Sequence, residues 1–254
     1  MRTGQTPGRE GHTDLLASSQ ERRMSLQKTA RFAGLLYFLA CIPAPFSLLY
    51  VPRALIVTGD PAATASKILG SEWMFRLGVA GELVNAVAFL FVTLALYRLF
   101  RGVDQPKASL MVTLFALSVP VSFVNALNNI AALILFRGGD YLSAFSKPQR
   151  DALAMIFLRL HAHGLVVGAI FWGLWLFPFG VLVYRSRFLP RILGVLLVIN
   201  CFAYVIPGFT SVLLPRYREA VNGVALPFLL GELAIALWLL IRGARERPPA
   251  EAPA

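Results

Sequence analysis

The sequence predicts an all-α, polytopic membrane helix bundle with six transmembrane helices and both termini cytoplasmic. Three observations carry this prediction. Of 254 residues, 57% are hydrophobic and 15% charged, with a mean hydropathy of +0.66, whereas soluble domains are roughly a quarter charged. Apolar, charge-poor runs recur six times, each of about twenty residues and so long enough for a hydrocarbon layer of about 30 Å. The Lys and Arg residues gather at the ends of those runs, where cations orient helices in a bilayer instead of marking a nucleic-acid surface. An ordinary soluble enzyme is excluded, and the formal charge of +11 is assigned to topology.

Residues 1–28 are polar and rich in Gly and Ser, carry Arg2, Arg9, Arg22, Arg23 and Lys28, and lack apolar periodicity; they read as a disordered cytoplasmic tail. Met24-Ser25-Leu26-Gln27-Lys28 reads as an alternative start. The first apolar run, Phe32 to Val51, has span length and ends in Pro52-Arg53 instead of a small-residue cleavage site, so it is expected to be a retained helix and not a secretory signal. Five further spans follow: Leu77 to Tyr97, Leu110 to Ile130 with an extension to Phe136, Gly164 to Tyr184, Ile192 to Leu214, and Val221 to Ile241. They are continuous apolar runs with internal Gly and Pro, not the short alternating segments of a barrel, so helices are expected. Pro43, Pro45, Pro120, Pro178, Pro207 and Pro227 should each free a backbone hydrogen bond and bend or end a turn. The transmembrane domain is thus read as residues 29–243, with 244–254 a disordered Pro-rich cytoplasmic tail.

Two longer connections share one side of the bundle. Asp60-Pro61 opens a short surface helix over Ala62 to Gly70, and Ser146-Lys147-Pro148-Gln149 opens a helix expected to run into the fourth span. The other side has the short links Arg98 to Ser109 and Arg185 to Arg191. Lys and Arg number 15 on the side of the termini and 9 on the opposite side, which places both ends in the cytoplasm of a cell with an inner membrane.

Ionisable side chains inside spans are costly and are functional candidates by default. Read at 1.5 Å per residue, Glu232 falls near mid-membrane, Glu82 about two-thirds of the way out, and Arg76, Arg159, His161 and His163 near the outer boundary. Glu82 shares a face with Gly78, Gly81 and Asn85, and so should point into the bundle. Ser118, Ser122, Asn125 and Asn129 form one polar stripe along the third span, with Asn128 beside it. His161 shares a face with Gly164 and Gly168, opposite Arg159 and His163, so the two histidines cannot chelate one ion. Each feature has a plainer reading: helix-locking hydrogen bonds for the carboxyls, the stripe and His161, an i,i+4 ion pair for Glu72 and Arg76, and headgroup contact for Arg159 and His163. Motifs for a nucleophile elbow, a phosphate loop or a zinc helix are missing. Cys41 and Cys201 lie in separate spans and read as reduced packing residues. No cofactor and no metal centre is expected; a site from His161, Glu82 and Glu232 would join residues read at different depths.

The segments Met24-Ser25-Leu26-Gln27-Lys28-Thr29-Ala30-Arg31 before Gly34-Leu35-Leu36-Tyr37, Ser71-Glu72 to Phe75-Arg76-Leu77-Gly78, Leu160-His161-Ala162-His163-Gly164, Phe188-Leu189-Pro190-Arg191-Ile192-Leu193-Gly194, and Gly231-Glu232-Leu233 ahead of Leu237-Trp238-Leu239-Leu240 are similar to a bacterial membrane family, domain of unknown function 4386. The resemblance covers Met24 to Gly243. It implies a multi-span inner-membrane protein and brings with it no reaction, ligand or catalytic residue.

Three functions fit the sequence. One is binding or movement of a small ligand through an outward-facing polar vestibule lined by Glu82, Asn125, Asn129, His161 and Arg76, with Glu232 as a deeper proton-sensitive carboxyl. The second is an intramembrane enzyme on a lipid-linked substrate, with His161 as acid or base beside Glu82. The third is a non-catalytic structural or partner protein whose polar groups pair with one another. The lipid bilayer is the expected partner in each, and nucleic acid in none.

Overall fold

The computed structural model describes residues 9–244, and every regular element among them is helical. Helix α1 (Arg9–Cys41) reaches well back from the first apolar run. Residues 9–28, read from composition as a tail, are described as part of this helix. The span meets the cost of nucleation, and between Gly11 and Gly34 the chain has good helix formers and neither Gly nor Pro to stop propagation. Residues 1–8 of that tail, and 245–254 of the C-terminal one, lie outside the described residues.

The prolines decide where spans break. Pro43 and Pro45 lack the N–H groups that would carry α1 onward. The chain continues as a π-helical segment, Pro45–Tyr50, and a short helix α2 (Val51–Leu55). Helix α3 (Pro61–Gly70) starts as expected: the Asp60 carboxylate accepts a hydrogen bond from the Ala63 N–H at 2.9 Å. Helix α4 (Glu72–Phe100) and helix α5 (Gln105–Arg137) follow, α5 running through Pro120. Helix α6 (Lys147–Leu174) opens on a capping box in which the Ser146 N–H donates to Gln149 Oε1 at 2.8 Å, and it enters the membrane without a break. Pro178 withholds the N–H that the Leu174 carbonyl would accept, so the fourth span pauses at Trp175 and resumes as α7 (Leu176–Arg185).

Helix α8 (Arg191–Leu213) is continuous through Pro207. The sixth span is not one helix from Val221 to Ile241. A 3₁₀ turn at Pro215–Tyr217 leads into α9 (Arg218–Ala225), a second at Leu226–Leu229 contains Pro227, and α10 (Leu230–Ile241) completes the crossing. Six segments are long and apolar enough to cross a membrane. Each packs on its neighbours in sequence, and α1 closes the ring against α10. Gly180 and Gly194 face one another, and a Cβ on either would lie within 2.7 Å of the other's carbonyl oxygen; this lets α7 and α8 touch backbone to backbone. A side chain at Gly243 would meet Gln27 and Arg31 at 3.2 and 3.4 Å, so the first and sixth spans end together on one face, here called the tail face. The opposite, loop face carries α3, α9 and the start of α6.

The buried apolar residues fall into two clusters. The larger, toward the tail face, contains Val92, Leu96, Phe100, Met111, Phe115, Trp175, Phe179 and Leu239. Within it Trp175 stacks on Phe179 at 5.4 Å and meets Phe115 edge-on at 5.5 Å. The smaller, toward the loop face, contains Leu55, Ile68, Phe75, Leu133, Phe136, Met155 and Leu158. Between the two runs a polar layer.

Candidate functional site

The polar layer is centred on His161 of α6 and Glu82 of α4. His161 Nε2 lies 2.8 Å from Glu82 Oε2, and the two side chains are 8% and 12% exposed. With the carboxyl ionised, the ring N–H donates; with the carboxyl protonated and the nitrogen bare, the donor is the acid. Helix position alone puts these residues at different depths, and the contact corrects that reading. Helix α6 begins at Lys147, so about 21 Å of helix lies between its start and His161. His161 therefore sits below the loop-face cluster, level with Glu82.

Asn125 of α5 ties the pair to the third span by donating from Nδ2 to the His161 carbonyl at 3.0 Å. Asn128 in turn donates to the Asn125 carbonyl at 3.1 Å. The Asn125 amide lies directly against Gly164, where any Cβ would overlap it; the glycine on the His161 face is thus required for this contact. Asn129 is also buried, at 6% exposure. The rest of the stripe turns back on its own helix: Ser118 Oγ donates to the Phe115 carbonyl at 2.6 Å and Ser122 Oγ to the Ser118 carbonyl at 3.0 Å.

The first span closes the third side. Helix α1 stops at the proline break, which leaves its last carbonyls without helical partners, and Asn85 Nδ2 donates to the Ala40 carbonyl at 2.6 Å. Ser47, in the π-helical segment, is 1% exposed, presses against Gly81 next to Glu82, and its hydroxyl has no hydrogen-bond partner.

Glu232 belongs to a separate site. Tyr37 of α1 donates its phenol to Glu232 Oε1 at 2.7 Å, and Tyr204 of α8 donates to Oε2 at 3.0 Å. The Tyr37 ring lies 5.3 Å from Phe89 and 6.2 Å from Trp175, which puts this carboxyl against the larger apolar cluster. Asn200, one turn before Tyr204, is fully buried with both amide atoms unpartnered. Neither tyrosine stands out among the candidates that the sequence offers. The available signal is position: membrane tyrosines usually sit at the interfaces, and one in mid-span needs a partner for its hydroxyl.

The structure does not bring Arg76 to the site. Its guanidinium binds Glu72 at 2.6 Å, and Arg137 grips the same carboxylate from α5 at 2.8 Å, forming an ion-pair cluster at the loop face. Arg159 and His163 are exposed. No three His, Cys, Asp or Glu side chains among the described residues converge as metal ligands, and Glu232 does not join His161 and Glu82. Cys41 and Cys201 are free thiols, the first partly and the second fully buried.

Fold and site define a six-span helical membrane protein in which one carboxyl, that of Glu82, lies against a histidine and another, that of Glu232, between two tyrosines. The chain belongs to the family described as a domain of unknown function, DUF4386, whose model matches residues 32–243, as the segments from Met24 onward imply. A protein of Archaeoglobus fulgidus, itself described as uncharacterized, is 27% identical over 165 residues, which cover 65% of this chain and 83% of the relative. No solved structure matches the chain.

Proposed function

We propose that the protein is a multi-pass protein of the inner membrane, its termini cytoplasmic, that binds or moves a small polar ligand at the Glu82–His161 pair, with Asn125 and Asn129 beside it. The observation that carries this reading is the 2.8 Å contact between the imidazole and the carboxyl inside the polar layer. Amide-to-carbonyl bonds such as that of Asn85 suffice to lock membrane helices. An ionisable pair in the same place costs more. What it adds is the capacity to take up and release a proton beside a bound molecule. The orientation is supported by the excess of cations on the tail face.

In the present arrangement Phe75, Leu133 and Leu158 lie between the pair and the loop face, so a ligand arriving from that side requires the helix ends to part. The π-helical segment beside Gly81 is the natural place to yield, because π-bulges mark functional positions in helices. The mutual pairing of the polar groups supports a purely structural role as the second reading. Chemistry on a lipid-linked substrate has less support, because the grooves beside α9 and beside Tyr50 are lined by residues other than the pair.

A thermal-shift experiment separates these readings. A thiol-reactive dye reports unfolding through Cys41 and Cys201, and the probes are Na⁺, K⁺, Mg²⁺, a primary amine, neutral amino acids and monosaccharides between pH 5 and 8. A ligand at a hundred times its Kd stabilises a protein by about 2.7 kcal/mol. One probe class is expected to raise the Tm of the parent protein in a pH-dependent way, and to leave folded Glu82→Gln and His161→Gln proteins unchanged. A panel in which parent and variants respond alike to every probe overturns the ligand reading in favour of the structural one.

A further inference from the structure

A groove of about 600 Å³ runs between α8 and α9, away from both carboxyl sites. Its wall is apolar, formed by Phe202, Ile206 and Pro207 on α8 and by Val221, Val224 and Phe228 on the broken sixth span. The prolines create it. Pro215 and Pro227 bracket α9 with 3₁₀ turns, so this short helix lies beside α8 as a separate piece and does not continue α10. Phe202, Ile206, Val224 and Phe228 are each about half exposed or more, so the groove opens sideways, toward lipid. In a membrane protein an apolar trough of this form meets hydrocarbon chains, not water.

The loop-face end of the groove is different in kind. Leu214 and Tyr217 line it, and Arg216 and Arg218 flank Tyr217 directly, Arg216 exposed and Arg218 half-buried. The ion pairs among the described residues engage Arg76, Arg137, Arg185, Lys107 and Lys147 and leave these two arginines out. Residues 216–219 thus bring two arginines and one acid, Glu219, into the turn and helix start whose Tyr217 lines the trough, although neither arginine is itself part of the apolar lining. Guanidinium groups bind phosphate oxygens in bidentate fashion.

We infer that the groove between α8 and α9 is a binding site for one anionic phospholipid, an acyl chain lying along the trough and the phosphate held by Arg216 and Arg218. This site is independent of the Glu82–His161 pair and stands or falls without it. Charge at the mouth selects among lipids of identical chains, because a cation near an anionic headgroup favours it several-fold and two cations together exceed the single opposing carboxylate.

Native mass spectrometry of the full-length protein, titrated with phosphatidylglycerol or phosphatidylcholine carrying the same acyl chains, tests the proposal. The parent protein should bind the first lipid at one site roughly tenfold more tightly than the second. Combined Arg216→Gln and Arg218→Gln should bring that ratio close to one. Ala220→Trp, which fills the trough and keeps both arginines, should weaken both lipids equally; Ala203→Phe serves the same purpose if the first variant is not monodisperse. Arg53→Gln removes a charge from the loop-face end of the first span, outside the lining of this groove, and should leave the ratio unchanged. Equal binding of the two lipids by the parent overturns the proposal. So does an Arg53→Gln effect as large as that of the double variant, which would mean diffuse attraction, or a dimer that excludes lipid, which would mean that a second copy covers the groove.

Discussion

Glu82 and His161 stand 79 residues apart in the chain and 2.8 Å apart in the bundle. Their contact joins the second span to the fourth across the third, whose Asn125 holds the His161 carbonyl. Three helices thus meet at one polar level, with apolar side chains above and below.

A double-mutant cycle measures that contact. Glu82→Ala or His161→Ala each leaves a buried polar partner unsatisfied, and each should lower stability in detergent by about 1–3 kcal/mol. The double variant should lose less than the sum, with a coupling energy of about 1 kcal/mol or more, read from thermal or denaturant unfolding. Additive losses would mean that the two groups do not interact in the folded protein.

Gly164 should resist even the smallest enlargement. A Cβ there overlaps the Asn125 amide, so Gly164→Ala is expected to cost about 1–3 kcal/mol through overpacking. Asn125→Ala, harmful alone, should relieve part of that cost in combination, because it removes the atoms that clash. If the two substitutions together are as destabilising as their sum, the contact is not what Gly164 accommodates.

The two phenols on Glu232 should prove interdependent. Tyr37→Phe or Tyr204→Phe removes one hydroxyl and leaves the carboxyl one donor, at a cost of about 0.5–2 kcal/mol each. Removing both leaves the carboxyl without a donor inside the bundle, so the double variant should lose more than the two single losses added together. Unfolding free energies of the four proteins decide it.

At the tail face, Asp104 caps α5 and binds Lys107 Nζ at 2.6 Å, with Arg185 at 3.4 Å. The Lys107 hydrogen bonds, with its charge and that of Arg185 behind them, hold the Asp104 carboxyl below the ordinary aspartate range. A carboxyl whose folded pKa is depressed contributes stability above its unfolded value, and that contribution fades as pH falls through the folded pKa. Asp104→Asn should therefore be less stable than the parent at neutral pH, and the two melting curves should converge on acidification. A gap that stays constant with pH would assign the whole effect to capping.

Much of the fold is legible in local sequence signals. The capping residues Asp60 and Ser146 open helices where such residues should, and the helix that becomes the fourth span indeed begins at Lys147. Pro43, Pro45, Pro178 and Pro227 break spans, because a missing N–H acts through local backbone bonding alone. Pro120 and Pro207 do not, since packing on neighbouring helices holds α5 and α8 together. Residues 9–28 read as a tail by composition and are described within α1 for a related reason: composition judges a segment alone, whereas helix propagates from a neighbour that is already folded.

Six apolar segments crossing a membrane as helices, and Glu82, Asn125, Asn129, His161 and Glu232 as the costly residues inside them, follow from the order of residues. Periodicity and hydrocarbon thickness are properties of the chain and the bilayer, so they need no contact map. Which polar group meets which is a matter of packing in three dimensions. Helix offset brings His161 level with Glu82, adds Arg137 to Glu72, and gives Glu232 to Tyr37 and Tyr204. Those offsets come from side-chain interdigitation between helices distant in sequence, and from glycines such as Gly164 and Gly180 that set how closely the helices approach.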